Sequence, residues 1–390
     1  MSEAETHAAC LTPPGISALA VLAVRGPRAW QVARSLFQPR SKSITLPDEP
    51  RPGQFWLGRF GVGAVDDVVL AIKAAHSTES PWVEIHCHGG REVVRLLMET
   101  LEAHGARTCS WQQLEHFTAG DPLHAAAIAA LAEAKTVRTA AILLDQAHGA
   151  FRRAVESVLA SVQAGNLASA EEQLAQLDRF SSIGRHLTTP WRVVAAGAPN
   201  VGKSSLANAI AGYQRCIVAP SPGTTRDVVT TLVAIDGWPV ELADTAGMRA
   251  EAEALEAVGI RMAQDTAAAA DLCLWVLDSS VPAKWPDSSL ENMLLVVNKI
   301  DLPAAWDLQE AKNALHVSAF NSTGVAELCA AIANRLAPNP PPTGSAVPFT
   351  FELGDAIHKA RECLRAGDLN RLAVALGATL EVPRRPEGDR

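Results

Sequence analysis

Apolar positions change their spacing several times along the chain. In residues 16–24 (ISALAVLAV) they run almost unbroken, as in a buried strand. Arg25-Gly26-Pro27 then turns into AWQVARSLF, whose apolar residues recur at helical intervals. Residues 66–74 and 81–88 (PWVEIHCH) read as further strands, and Gly89-Gly90 opens a helix through about Ala103. Together these predict a small α/β domain ending near residue 118. From 121 to 183 the chain is rich in Ala, Leu, Glu and Gln, and no proline follows Pro122. Apolar residues there keep three- and four-residue spacing, which predicts long packed helices. From 191 the strands WRVVAAG, WPVELAD, LCLWVLD and NMLLVVNK alternate with helical segments. Continuous apolar strands alternating with helices predict a mostly parallel, doubly wound sheet. APNPPPTGSAVP (337–348) reads as a proline-rich linker, 353–378 as a last helical segment, and EVPRRPEGDR as a disordered tail.

Length and composition narrow the picture. At 390 residues the chain exceeds one typical core and calls for two or three domains. A hydrophobic share of 48% with 19% charged residues describes a soluble globular protein. A net charge of −8 argues against a general electrostatic grip on nucleic acid, leaving room only for a local basic patch. Seven scattered cysteines with no CxxC pair argue against a disulfide framework or zinc site and suit a reducing cytoplasm. The opening MSEAETHAAC is no signal peptide, and no apolar run approaches the length that spans a membrane.

The chemistry sits in the 191–319 region. Strand WRVVAA runs into Gly197-Ala198-Pro199-Asn200-Val201-Gly202-Lys203-Ser204-Ser205 and then a helix. This is GxxxxGK[ST] in the strand–loop–helix context the motif requires. Its glycines let backbone N–H groups and the helix N-terminus face an anion. Lys203 would reach the β- and γ-phosphates, and the Ser204 hydroxyl would ligate Mg²⁺. Gly223-Thr224-Thr225-Arg226-Asp227 follows, and a threonine on such a loop can complete Mg²⁺ coordination. Strand VELA delivers Asp244-Thr245-Ala246-Gly247: the carboxylate can hold the metal's water shell, and Gly247 can give its N–H to the γ-phosphate. Asn298-Lys299-Ile300-Asp301 ends another strand. The Asp301 carboxylate can accept both N1–H and the 2-amino group of guanine, donors that adenine lacks there, so the site selects GTP. Val317-Ser318-Ala319 supplies an N–H for guanine O6.

Met248, next to Gly247, cannot orient an attacking water. Glu256 is the candidate to do so through a bridging water, with Lys203 the other catalytic candidate. Arg226 and Arg249 are the available arginine fingers; a monovalent cation could replace them, with Asn200 as one ligand. His86 and His88 share one strand face, but no carboxylate or cysteine cluster adjoins them in sequence. His88 is read as stabilising the turn that follows it.

These motifs alone would also fit ribosome-assembly GTPases. Together with the opening TPPGISALAV and the segment VEIHCHGG, they resemble the tRNA modification GTPase family MnmE (TrmE). The resemblance covers most of the chain. It implies a folate-binding-like α/β domain over 1–118, helical parts over 119–188 and 345–390 (the second truncated), and an inserted P-loop GTPase domain over 189–336. It makes Asn200 the K⁺ ligand, Thr225 the Mg²⁺ threonine and Glu256 the hydrolytic glutamate. It further implies a homodimer, a flavoprotein partner, one-carbon folate and tRNA wobble-uridine modification. Departures from the family fall in the half that should do carbon transfer, while the GTPase half is intact. Ala23 stands where the family has an arginine, with Arg25 displaced, and LEHFTAGDPLHAAA replaces a segment like RAFLNGKLDL. PRRPEGDR stands at the end in place of a Cys-x-Gly-Lys tail, and Cys363 lies inside a helical segment. The alternative reading is a regulatory or RNA-binding GTPase that has lost the modification chemistry.

Overall fold

The computed structural model describes residues 5–62, 66–73, 82–118, 121–213, 230–244, 270–286 and 292–380. Thr224, Thr225, Arg226, Thr245, Ala246, Gly247, Met248, Arg249, Glu256 and the tail from 381 lie outside the described residues. By its contacts the chain divides into Met1–Ala126 and Ala127–Arg390.

The first unit is built on β1 (His7–Cys10), β2 (Leu19–Arg25), α1 (Ala29–Leu36), β3 (Phe37–Pro39), β4 (Phe55–Phe60), β5 (Asp66–Lys73), β6 (Trp82–His88), α2 (Arg91–Ala103), β7 (Arg107–Thr108) and α3 (Trp111–Thr118). Its sheet runs β3-β4-β5-β6-β2-β1-β7, antiparallel except for the parallel β1–β7 pair. One core joins inward residues of the strands (Leu22, Val24, Leu70, Ile85) to Trp30, Ala33, Leu97 and Leu101 of the two long helices. Strand β2 begins at Leu19, not at Ile16, because Pro13-Pro14-Gly15 keeps the chain in turns until then. His88 does not serve the following turn: its ring meets Asp66 on β5 at 2.6 Å and its N–H donates to the same carboxylate at 2.9 Å. The His86 ring lies 3.1 Å from the Glu84 carboxylate, two residues earlier on the same strand.

In the second part of the chain, the alanine-rich stretch forms α4 (Pro122–Glu133), α5 (Val137–Ala147), α6 (Ala150–Gln163), α7 (Leu167–Arg179) and α8 (Ser181–Arg185). Periodicity alone hid the breaks, which are caps. Thr136 exchanges hydrogen bonds with Thr139 in a capping box. Gly149 and Gly165 take left-handed backbone at φ 83° and 74°. Asn166 accepts from the Ser169 N–H.

The nucleotide-type sheet follows: β8 (Trp191–Ala196), α9 (Lys203–Tyr213), β9 (Thr230–Ile235), β10 (Trp238–Asp244), β11 (Leu272–Asp278), β12 (Met293–Asn298), β13 (Leu315–His316) and α10 (Val325–Leu336). Its order is β13-β12-β11-β8-β10-β9, parallel apart from the β9–β10 hairpin. Two helices close the chain: α11 (Phe351–Ala366), capped by Thr350, and α12 (Leu369–Leu380). They return to the earlier helices, α11 packing on α7 and α8, and α12 on α6. Arg361 bridges Glu171 and Asp178 of α7. The sheet domain is therefore an insertion within a helical domain.

The proline-rich stretch is docked onto this unit. Val347 donates to Gln146 at 3.1 Å, Gln146 donates to the Ser345 carbonyl at 3.0 Å, and Phe349 is buried edge-on against Phe151. Its few polar side chains and extended backbone gave it a linker's composition, but its apolar residues have a surface to cover. Side chains join helices to sheet. Arg138 of α5 bridges Asp236 in the β9–β10 turn at 3.0 Å, and His186 stacks on Trp191 at the start of β8. Among the described residues, no helix is long and apolar enough to cross a membrane.

Candidate nucleotide site

Strand β8 is flanked by parallel partners, β10 and β11, so its carboxyl end opens at the edge where α/β folds place ligands. Gly197 leaves the strand at φ 136°, and a Cβ there would come within 2.4 Å of the Val276 carbonyl oxygen. Gly202 sits at φ 94°, and a Cβ would lie 2.4 Å from the Asn298 amide nitrogen. Only glycine allows both the turn and the approach. The chain then enters α9, whose first bond runs from the Leu206 N–H to the Gly202 carbonyl at 2.8 Å.

Lys203 is the first residue of α9, yet only 5% exposed. Its ammonium lies under the loop and donates to the carbonyls of Gly197 at 3.1 Å and Ala198 at 2.9 Å. Ser204 and Ser205 are exposed in the first turn, where helical N–H groups have no intrahelical partner. Asp244 ends β10 in register with Ala195, two residues before Gly197. Strand pairing thus delivers this backbone position beside the loop.

The end of β12 ties the loop to a second one. Asn298 is 1% exposed; its amide donates to the Val201 carbonyl at 2.9 Å and accepts from the Ala319 N–H at 3.0 Å. Lys299, at φ 64°, donates to the Asn200 carbonyl at 2.8 Å and pairs with Asp278 at 2.6 Å. Asp301 is exposed, but the buried Ser318 hydroxyl donates to one of its oxygens and fixes its orientation. The Ser318 N–H is held by the Thr323 carbonyl at 2.9 Å, and the Ser318 hydroxyl takes the Asn321 N–H at 3.3 Å, which makes this turn rigid.

Asn200, Val201, Gly202, Lys203, Asn298, Lys299, Asp301, Ser318 and Ala319 thus converge in one network. Within it, Asn298 and Lys299 do more than flank Asp301: their side chains hold two successive carbonyls of the glycine-bounded loop.

Asp278, closing β11, escaped the sequence reading. Burial opposes its charge, but hydrogen bonds from Lys299 and Ser280 outweigh that and hold its carboxyl below the ordinary Asp value. The only sequence signal was a carboxylate ending an apolar strand in LCLWVLD.

A strand–loop–helix with a buried lysine, joined to a carboxylate-bearing loop at the sheet's carboxyl edge, defines a P-loop GTPase. Residues 192–303 match the family model described as 50S ribosome-binding GTPase, and residues 6–111 match GTP-binding protein TrmE N-terminus. The chain is 31% identical to the tRNA modification GTPase MnmE of Thermotoga petrophila over 371 residues, 84% of this chain and 81% of the relative. It is 32% identical to that of Thermus thermophilus over 398 residues, covering 91% and 88%. The relative from Chloroflexus aurantiacus is 35% identical over 341 residues, covering 77% and 73%. Among solved structures, the G domain of the T. maritima FeoB iron transporter is 25% identical, covering 37% of this chain and 98% of that one, at a TM-score of 0.28. The chain belongs to the tRNA modification GTPase MnmE family.

Proposed function

We propose that this chain is a cation-assisted GTP switch that serves modification of the wobble uridine in tRNA, working as a homodimer with a flavoprotein partner. One observation supports the reading most: the hydrogen-bonded network that ties Asn298, Lys299, Asp301 and Ser318 to the glycine-bounded loop sits in the same chain as an N-terminal unit of the TrmE type. In this reading Asp301 takes guanine N1–H and the 2-amino group, and Ala319 offers its N–H to O6. Lys203 neutralises the β- and γ-phosphates, while the N–H groups of Val201 to Ser205 surround them.

For Mg²⁺ the donor set fits. Ser204 is exposed in the first turn of α9, and Asp244 ends the adjoining strand; Thr225 is the third proposed ligand. The ion would neutralise charge on the phosphate oxygens. For K⁺, Asn200 is exposed at the rim of the loop and its backbone carbonyl is held by Lys299. A cation there would supply the positive charge that an arginine finger supplies elsewhere. Glu256 is assigned the attacking water, through a second water. Folate is a different case. The family's arginine position holds the buried Ala23, and Arg25 is engaged by Glu115 at 2.6 Å beneath the Trp82 ring. The proposed function carries no folate step.

Two measurements test the reading. GTP turnover in K⁺ should exceed that in Na⁺ by on the order of tenfold or more, because charge at the transition state is what the ion contributes. Equal rates would remove the cation. Deleting the gene, where no second family copy exists, should deplete carbon-substituted wobble uridines in tRNA nucleosides analysed by mass spectrometry. Unchanged wobble uridines would leave a regulatory or RNA-binding GTPase.

A further inference from the structure

We propose that Asp278 is a positioning residue of the nucleotide site: through Lys299 it fixes the Asn200 carbonyl and thereby aims the phosphate-binding N–H groups. It rests on the reading that this loop binds guanine nucleotide, and not on the K⁺ assignment.

The geometry is a relay of buried and oriented groups. Asp278 is 4% exposed at the end of β11, in register with Asn298 on β12. One carboxylate oxygen accepts from the Ser280 N–H at 2.8 Å and the Ser280 hydroxyl at 2.7 Å. The other meets the Lys299 ammonium at 2.6 Å. Its main chain is pinned too, since the Trp306 indole donates to the Asp278 carbonyl at 3.0 Å. An anchored carboxylate therefore holds a lysine whose stem would otherwise sample many rotamers. That lysine spends a second donor on the Asn200 carbonyl at 2.8 Å.

What this does to the loop follows from peptide geometry. A trans peptide is planar, and its C=O and N–H point in opposite directions. Holding the Asn200 carbonyl toward Lys299 turns the Val201 N–H the other way. Asn298 does the same to the next peptide by taking the Val201 carbonyl, which turns the Gly202 N–H. Two successive N–H groups are thus aimed from outside, as an anion-binding loop requires. Asn200 and Lys299 both sit at φ 64°; asparagine tolerates this left-handed backbone, but a lysine rarely adopts it, so its surroundings must hold it. The Asp278–Lys299 pair is the part of those surroundings that joins the two residues.

A double-mutant cycle reads the relay. The full-length chain is titrated with N-methylanthraniloyl-GDP as wild type, Asp278→Asn, Lys299→Met and the double variant. Each single change should raise Kd by on the order of tenfold: Asp278→Asn takes the anchoring charge from the half-buried ammonium, and Lys299→Met leaves a buried carboxylate without its cation. The double variant should bind no worse than Lys299→Met alone, because Asp278 acts through that lysine. A residue with a merely structural role would instead give factors that multiply. Multiplying factors, or a Kd for Asp278→Asn within twofold of wild type, would overturn the proposal. Should Asp278→Asn fail to fold, Asp278→Glu keeps the charge but displaces the ammonium. It should also raise Kd, and a wild-type Kd would overturn the relay. If the wild-type chain bound no GDP analogue, the nucleotide reading itself would fall first.

Discussion

Replacing Asp301 by asparagine should turn a GTP-preferring chain into one that prefers xanthosine nucleotides. The carboxylate is exposed to a ligand on one side and held from the other by the Ser318 hydroxyl, so it enters the encounter already oriented. Guanine presents two donors, N1–H and the 2-amino group, to its two oxygens. Asparagine keeps the shape but exchanges one acceptor for an NH₂ donor, which would face a guanine donor and leave both unsatisfied. Xanthine carries a carbonyl in place of the amino group and restores the match. Sites built to pair polar groups discriminate by about 10⁴-fold, and a factor of that size is about 5.5 kcal/mol. Competition between GTP and XTP, measured on wild type and Asp301→Asn, checks this. An unchanged GTP preference would show that Asp301 does not read the base.

The phosphate loop was legible in the sequence because its physics leaves few choices of residue. Gly197 and Gly202 each face a backbone or amide group at a distance no Cβ tolerates, so spacing alone announces the turn. The doubly wound sheet was legible for a similar reason: strands buried on both faces read as unbroken apolar runs. Other features were set by partners distant in sequence. β1 and β4 are short and lack clean alternation; Phe55 and Leu57 of β4 are apolar yet exposed, so burial cannot be inferred from residue type. The helical stretch kept its period across its breaks, because Thr136 and Asn166 stop and restart helices without disturbing apolar spacing. The docked proline stretch depends on Gln146, about two hundred residues away. Asp278 was invisible for the same reason. A carboxylate at a strand end acquires meaning only when the neighbouring strand brings Lys299 against it.

Lys203→Met should lower GTP turnover by on the order of 10³-fold or more, with a smaller loss in nucleotide affinity. The magnitude follows from the two tasks the ammonium performs. As a strut, it gathers the Gly197 and Ala198 carbonyls from below, so its removal leaves two acceptors facing an apolar side chain. Carbonyls near the loop surface can regain water, which keeps the affinity loss modest. As a charge, it meets the phosphate oxygens where negative charge shifts during transfer, in a site where burial strengthens the interaction. Binding suffers only the ground-state share of that loss, whereas turnover suffers the transition-state share as well. Lys203→Arg should fail similarly, because a planar guanidinium cannot replace a compact ammonium held by two carbonyls under a closed loop. Single-turnover hydrolysis with saturating GTP separates the two quantities. A rate within tenfold of wild type in Lys203→Met would mean that the loop's backbone N–H groups, and not its lysine, carry the charge stabilisation.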